Sequence, residues 1–236
     1  MPRNVQNIVE EQILRWRAER AEPDTGTAAP LIRPHVVTVA HAVGADGALI
    51  AEVVGEMLHI PVYDREIVRH IAENAAVRVE TVETLSEKAQ GRVEEYLTAL
   101  VREKNFDRSD YVRHLMRAVA ALWEHGPCVM VGHGCVHVVP RTHALAVRIV
   151  APAAVREARL AERMELEPRE ARWLVQRTDD ERSAFHRRSF GADVAACENY
   201  DLVLDSTSYE VEAAAAVVAE AFRRKFTTVG TVNHQR

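Results

Sequence analysis

The chain has 236 residues, 47% of them apolar, with only 10 glycines and 9 prolines, which is enough for one sizeable core and excludes a collagenous or disordered chain. Thirty Lys+Arg against 35 Asp+Glu leave a formal charge of −5, which argues against a nucleic-acid partner. The three cysteines (Cys128, Cys135, Cys197) form no C-x-x-C pair, no apolar run approaches the ~18 residues of a spanning helix, and no signal-peptide stretch opens the chain, so a cytoplasmic protein with free thiols and no membrane partner is expected.

Val5, Ile8, Val9, Ile13 and Trp16 recur at helical spacing and predict an amphipathic helix within residues 1–21. Its apolar stripe needs a partner, either its own domain or a second copy, and a homodimer is expected. Residues 22–34 carry three prolines and no period and read as a linker. A β-branched run from His35 to Ala40, a loop with Gly44 and Gly47, and a helix through Ile50, Val53, Val54 and Met57 give strand, turn, helix. A strand over Ile60 to Tyr63 and a helix through Ile67, Val68 and Ile71 follow. The charged stretch from Val79 to about Glu124 predicts three helices, broken near Gly91 and at Asn105 to Ser109, with Ser109 or Asp107 as a cap. Next come a strand over Cys128 to Val131 ending in Gly132-His133-Gly134, a strand over Leu145 to Val150, and two Arg-rich helices. A last strand, Tyr200 to Leu204, precedes an Ala/Val-rich helix. Short apolar strands alternating with helices indicate an α/β domain over 35–226, a three-layer α/β/α arrangement on a parallel sheet, with a tail at 227–236.

The loop after the first strand stands where α/β proteins of this type hold phosphate, because glycines there let backbone N–H groups approach an anion at a helix start. His41, Gly44, Ala45, Asp46 and Gly47 are its candidate residues. A full phosphate loop ends G-K-[ST], with lysine on the phosphates and the hydroxyl on Mg²⁺. Here the first lysine is Lys88, Ala48 and Leu49 supply neither charge nor hydroxyl, and Asp46 repels an anion. The chain has 27 arginines and three lysines, and residues 141–190 hold eleven of the arginines. Their bland reading is a solvated helix face paired with nearby glutamates. His133-x-Cys135-x-His137 offers competent zinc ligands, alternate residues sharing a face if the segment is extended. The spacing fits no standard zinc module, so no metal is expected.

Several separated segments, taken in order, carry a resemblance. They are the first strand with its glycine loop, Ile60-Pro61-Val62-Tyr63-Asp64-Arg65-Glu66-Ile67, Val129-Met130-Val131-Gly132-His133-Gly134, Ala151-Pro152 with Arg156, Asp179-Asp180-Glu181-Arg182 and Tyr200-Asp201-Leu202-Val203-Leu204. In this order they resemble the bacterial cytidylate kinase-like family. The resemblance implies a P-loop kinase-like fold, a nucleoside-monophosphate site, a mobile Arg-bearing lid and, in an active member, ATP with Mg²⁺. It implies that Asp64 and Arg65, with His133, border the monophosphate pocket, and that Arg156, Arg163, Asp179 and Arg182 belong to the lid and its hinge, with Arg156, Asp179 and Arg182 as the catalytic set. The loop departs from the family's pattern, with Ala40, His41, Ala42, Asp46 and Ala48 in place of its Ser-Arg-Glu, glycine-rich run and arginine, and its Gly-Arg-Gly is Gly132-His133-Gly134 here. The expectation is a nucleotide-binding protein with weak or no phosphorylation of a nucleoside monophosphate. The alternatives are an active kinase that uses its lid arginines, or a non-catalytic assembly protein on the same fold. His41 and His133, both in place of arginine, are expected to share one anion pocket and to titrate near pH 6.5.

Overall fold

The structure is a computed structural model that describes residues 4–21, 34–104, 106–107 and 109–227. Most of the expected linker (22–33) and tail (228–236) lie outside the described residues. In chain order the elements are α1 (Val5–Ala21), β1 (Val36–His41), α2 (Gly47–Leu58), β2 (Val62–Tyr63), α3 (Arg65–Glu73), α4 (Ala75–Glu83), α5 (Glu87–Glu103), α6 (Asp110–His125), β3 (Val129–Val131), α7 (Cys135–Val138), β4 (Ala144–Val150), α8 (Ala153–Met164), α9 (Pro168–Phe190), β5 (Leu202–Asp205) and α10 (Val211–Thr227).

The five strands form one sheet in the order β2-β3-β1-β4-β5. Every pairing is parallel, with Thr38 of the central β1 opposite Met130 on one side and Ala146 on the other. Alternation along β1 explains the three layers, since successive side chains of a strand point to opposite faces. Val37 and Val39 join Ile50, Val54, Ala214 and Val218 on the face covered by α2 and α10. Val36 joins Ile67, Ile71, Leu115, Met116 and Trp123 on the face covered by α3 and α6. With both faces covered, the strands read as unbroken apolar runs.

α1 packs on this second layer. Val9, Ile13 and Trp16 are buried within it, and the Trp16 ring stacks on His125 at 3.8 Å and 5° and lies 6.3 Å from Tyr63. Of the two partners open to its apolar stripe, the stripe is covered by its own domain.

Two local expectations are corrected. Gly91 does not break a helix: it lies inside α5, and the interruption falls at Thr84 to Ser86, where the Ser86 side chain accepts from the Ala89 N–H and caps α5. The residues after Gly132-His133-Gly134 are not extended but form α7, so the alternation assumed for His133, Cys135 and His137 is lost. At the other break Asp107 accepts from both the N–H and the Oγ of Ser109, so the aspartate orients the capping residue rather than the helix itself.

Candidate functional site

In a parallel sheet, the space beyond the carboxyl ends of the strands is the natural ligand site. Two groups of side chains meet there. The first surrounds the β1–α2 loop, onto which α8 and α9 fold as a hairpin. Gly44 takes φ +76°, and a Cβ there would meet the Arg156 carbonyl oxygen at 2.7 Å, so only glycine lets the loop lie this close to α8. The buried Arg156 side chain donates to the Val43 carbonyl at 3.2 Å and the Ala151 carbonyl at 3.0 Å and pairs with Asp179 of α9 at 2.8 Å. Asp46, at the amino end of α2 with φ 55°, makes no cap bond to its own helix. Its carboxylate pairs with Arg159 at 2.9 Å and Arg163 at 2.6 Å, both on α8. Arg182 of α9 donates to the His41 carbonyl at 2.6 Å.

The second group lines a cavity of about 170 Å³ between the ends of β1 and β3 and the helices α6, α7 and α9. Its walls include His41, Arg65, Tyr111, His133, Val136, Thr178, Glu181, Arg182, Phe185 and His186. Arg65 reaches it because Asp64 caps α3, accepting from the N–H groups of Glu66 and Ile67 at 2.9 Å each, which fixes the first turn. The Gly132-His133-Gly134 turn is left-handed throughout, with φ of 77°, 50° and 69°. A Cβ at Gly134 would stand 2.1 Å from the Phe190 ring. The strain at His133 is held by a bond from its Nε2 to the Arg65 carbonyl at 2.9 Å. A carbonyl only accepts, so His133 carries its proton on Nε2, and His41, whose Nδ1 donates to the Ala42 carbonyl at 3.0 Å, carries its proton on Nδ1.

The cavity is cationic. Glu181 is the acidic residue in its lining, and that carboxylate already accepts from Arg177 at 2.7 Å. Burial, and after it the charge of Arg65, lower the Arg182 guanidinium to about 10. Burial, and after it Arg182, lower His41 to about 4. Burial lowers His133 to about 4 as well, and burial followed by Arg148 lowers His186 to about 4. Each is a basic group among cations out of water, the environment in which an added proton is least favoured. An anion is what this field favours.

The sequence from residue 36 to 208 matches the model of the cytidylate kinase-like family. The chain belongs to the cytidylate kinase-like family. No curated protein matches the sequence. Among solved structures, the fold of this cytidylate kinase-like chain is similar to that of an uncharacterized protein from Eubacterium ventriosum, with a TM-score of 0.60 at 15% identity, covering 80% of this chain and 98% of that one. Shikimate kinase from Bacteroides thetaiotaomicron overlaps less well, with a TM-score of 0.41 at 11% identity, covering 80% of this chain and 96% of that one. The first likeness is one of fold alone, and the second overlap is too low to add to it.

Of the residues that the sequence of this cytidylate kinase-like protein singles out, His41, Arg65, His133 and Arg182 meet at the cavity. Arg156, Asp179, Gly44 and Asp46 belong instead to the loop and hairpin contacts, and Asp64 acts on Arg65 through the helix cap. His137 turns away into a buried pair, its Nε2 3.0 Å from Nδ1 of His186, and Cys135 is core. Among the described residues, no group of three His, Cys, Asp or Glu is placed to hold a metal ion. The sequence reading does not single out Tyr111, Phe185 and His186, which line the cavity, or Arg148, whose charge acts on His41, Arg182 and His186 from β4. His186 had a signal, since positions 178, 182 and 186 repeat every four residues and share one helix face. Arg148 had one too, as a lone charge in the apolar run of β4, where its guanidinium lies 5.7 Å from the Tyr200 ring. Tyr111 sits on a charged helix far along the chain, and nothing local distinguishes it.

Proposed function

We propose that this protein binds a nucleoside monophosphate, or a similar phosphomonoester, in the cavity between β1, β3 and α9, and that it transfers phosphoryl groups from ATP very slowly or not at all. The observation that carries the reading is the cavity itself: Arg65 and Arg182 line it with three histidines, and its acidic residue is already paired. Two guanidinium forks suit the oxygens of a phosphomonoester, and the Tyr111 and Phe185 rings offer flat apolar walls for the rest of the ligand.

The residues at the loop do not fit the magnesium triphosphate that the family implies. The chain has no lysine before Lys88 and no hydroxyl at Ala48. The carboxylate of Asp46 is held by two arginines, and Arg156 is committed to the Val43 carbonyl and Asp179. The active-kinase alternative needs these lid arginines on the transferring group, and Arg182 is the one of them that lines the cavity. Phosphoryl transfer is almost entirely positioning and cationic stabilisation, and a single arginine of this kind is worth roughly 10³ to 10⁵ in rate. Losing several leaves binding as the retained property.

The test is calorimetric titration of nucleoside monophosphates and of inorganic phosphate into the wild type and into Arg65→Met and Arg182→Met. A charge-assisted bond is worth about 1.5–3 kcal/mol, so each substitution is expected to weaken binding by about tenfold or more. Affinity that ignores both substitutions, or no heat from any phosphomonoester, would remove the reading.

A further inference from the structure

The position of Asp46 is at odds with its residue type. An aspartate at the start of a helix ordinarily accepts from the N–H groups of the first turn. Asp46 does not: its left-handed backbone turns the carboxylate away from α2, and both oxygens are taken by α8, one by Arg159 at 2.9 Å and one by Arg163 at 2.6 Å. The carboxylate side chain is only 10% exposed, whereas Arg163 is 51% exposed and reaches inward from solvent. Arg159 is fixed further by donating to the Oγ of Ser206 at 2.9 Å and to its carbonyl at 3.3 Å. A separate open space of about 370 Å³ adjoins Asp46 and Arg159, lined with them by Ser206, Thr207, Tyr209 and Glu210 among others. A carboxylate thus sits between two guanidinium groups at the amino end of a helix, beside unfilled volume, where general electrostatics places an external anion.

We propose that Asp46 is an internal counter-anion that latches the α8–α9 hairpin onto the β1–α2 loop and excludes a polyphosphate chain from Arg159 and Arg163. This rests on the reading above that the loop takes no triphosphate, and it assigns the cause of that exclusion to one side chain. Removing the charge frees Arg159, which lines the adjoining space, and Arg163, half-exposed one helical turn along, and the anion they then attract is one with several adjacent charges, since two arginines separated by a helical turn cannot both be satisfied by a single small ion as compactly as by a chain of phosphates.

The experiment uses the full chain with two probes, sodium tripolyphosphate and a nucleoside monophosphate, titrated into the wild type, Asp46→Asn and Asp46→Asn/Arg163→Gln. Asparagine tolerates the left-handed backbone that Asp46 adopts, so the substitution removes charge with little change of conformation. Asp46→Gly, equally free at that φ, replaces it if the asparagine variant lacks a cooperative melt. The latch predicts tripolyphosphate affinity at least tenfold higher in Asp46→Asn than in the wild type, and most of the gain reversed by adding Arg163→Gln. Tripolyphosphate affinity equal to wild type in a folded Asp46 variant overturns the proposal, as does a gain that Arg163→Gln leaves intact. The monophosphate titration reports on the cavity separately: its failure in the wild type counts against the proposed function, and the tripolyphosphate comparison still decides the latch.

Discussion

His41 and His133 each spend one ring nitrogen on a backbone carbonyl, which leaves His41 Nε2 and His133 Nδ1 to take up a proton. With both lowered to about 4 by burial and neighbouring arginines, they are neutral in the free protein at pH 7. The sequence expectation of titration near 6.5 is therefore corrected downward, because each ring is buried and also meets the charges of Arg65 and Arg182, which a solvated histidine does not. A bound anion reverses that field and raises both values. By linkage the anion must then bind more tightly as pH falls, with the change lying between the ordinary histidine value and about 4. Sulfate is a suitable probe, since it keeps its charge across this range. Its affinity measured at pH 5 should exceed that at pH 8, and the difference should shrink in His41→Ala and His133→Ala. Thr38 makes a different kind of prediction. Its Oγ1 is buried in the middle of β1 with no partner among the described residues. An unsatisfied buried hydroxyl costs about 1–3 kcal/mol, so Thr38→Val, which keeps the shape, should leave stability unchanged or raise it by about 1 kcal/mol in urea denaturation.

At the scale of elements, α1 behaves as part of the domain on which it lies. Trp16 is 5% exposed, and its ring faces His125, whose Nε2 in turn donates to the Thr81 carbonyl at 3.0 Å. Trp16→Ala removes a buried aromatic and should cost about 3–5 kcal/mol in chemical denaturation. If the stripe served a second copy instead, the substitution would change the mass by light scattering and leave the dilute-limit stability untouched. The strands are legible as short, nearly unbroken apolar runs, as in Val36–His41, and most helices because their apolar residues repeat at three to four, as in Ile50, Val54 and Met57. α7 is not. Four residues are too few to show a period, and the turn that starts it depends on Phe190, which packs against Gly134 from 56 positions away in sequence. The helix break was misplaced at Gly91 because glycine is a weak signal in a long helix, while Ser86 three residues before Ala89 was the better one.

For the whole molecule, the separation of loop from cavity is what the sequence did not contain. The resemblance implies Arg156, Asp179 and Arg182 as one catalytic set, with Arg163 in the same lid, but the hairpin delivers Arg156 to Val43 and Arg163 to Asp46, and leaves Arg182 facing the space beyond β1 and β3. Which arginine meets which acceptor depends on how α8 and α9 are seated, and spacing along one chain does not encode that. The central claim is that the acceptor side of the site persists without phosphoryl transfer. Its most direct test is the turnover of nucleoside monophosphates by the full chain with ATP and Mg²⁺, followed as nucleoside diphosphate formed. The account predicts a rate orders of magnitude below the ~1–100 per second of ordinary kinases, and turnover within that range for any nucleoside monophosphate would contradict it.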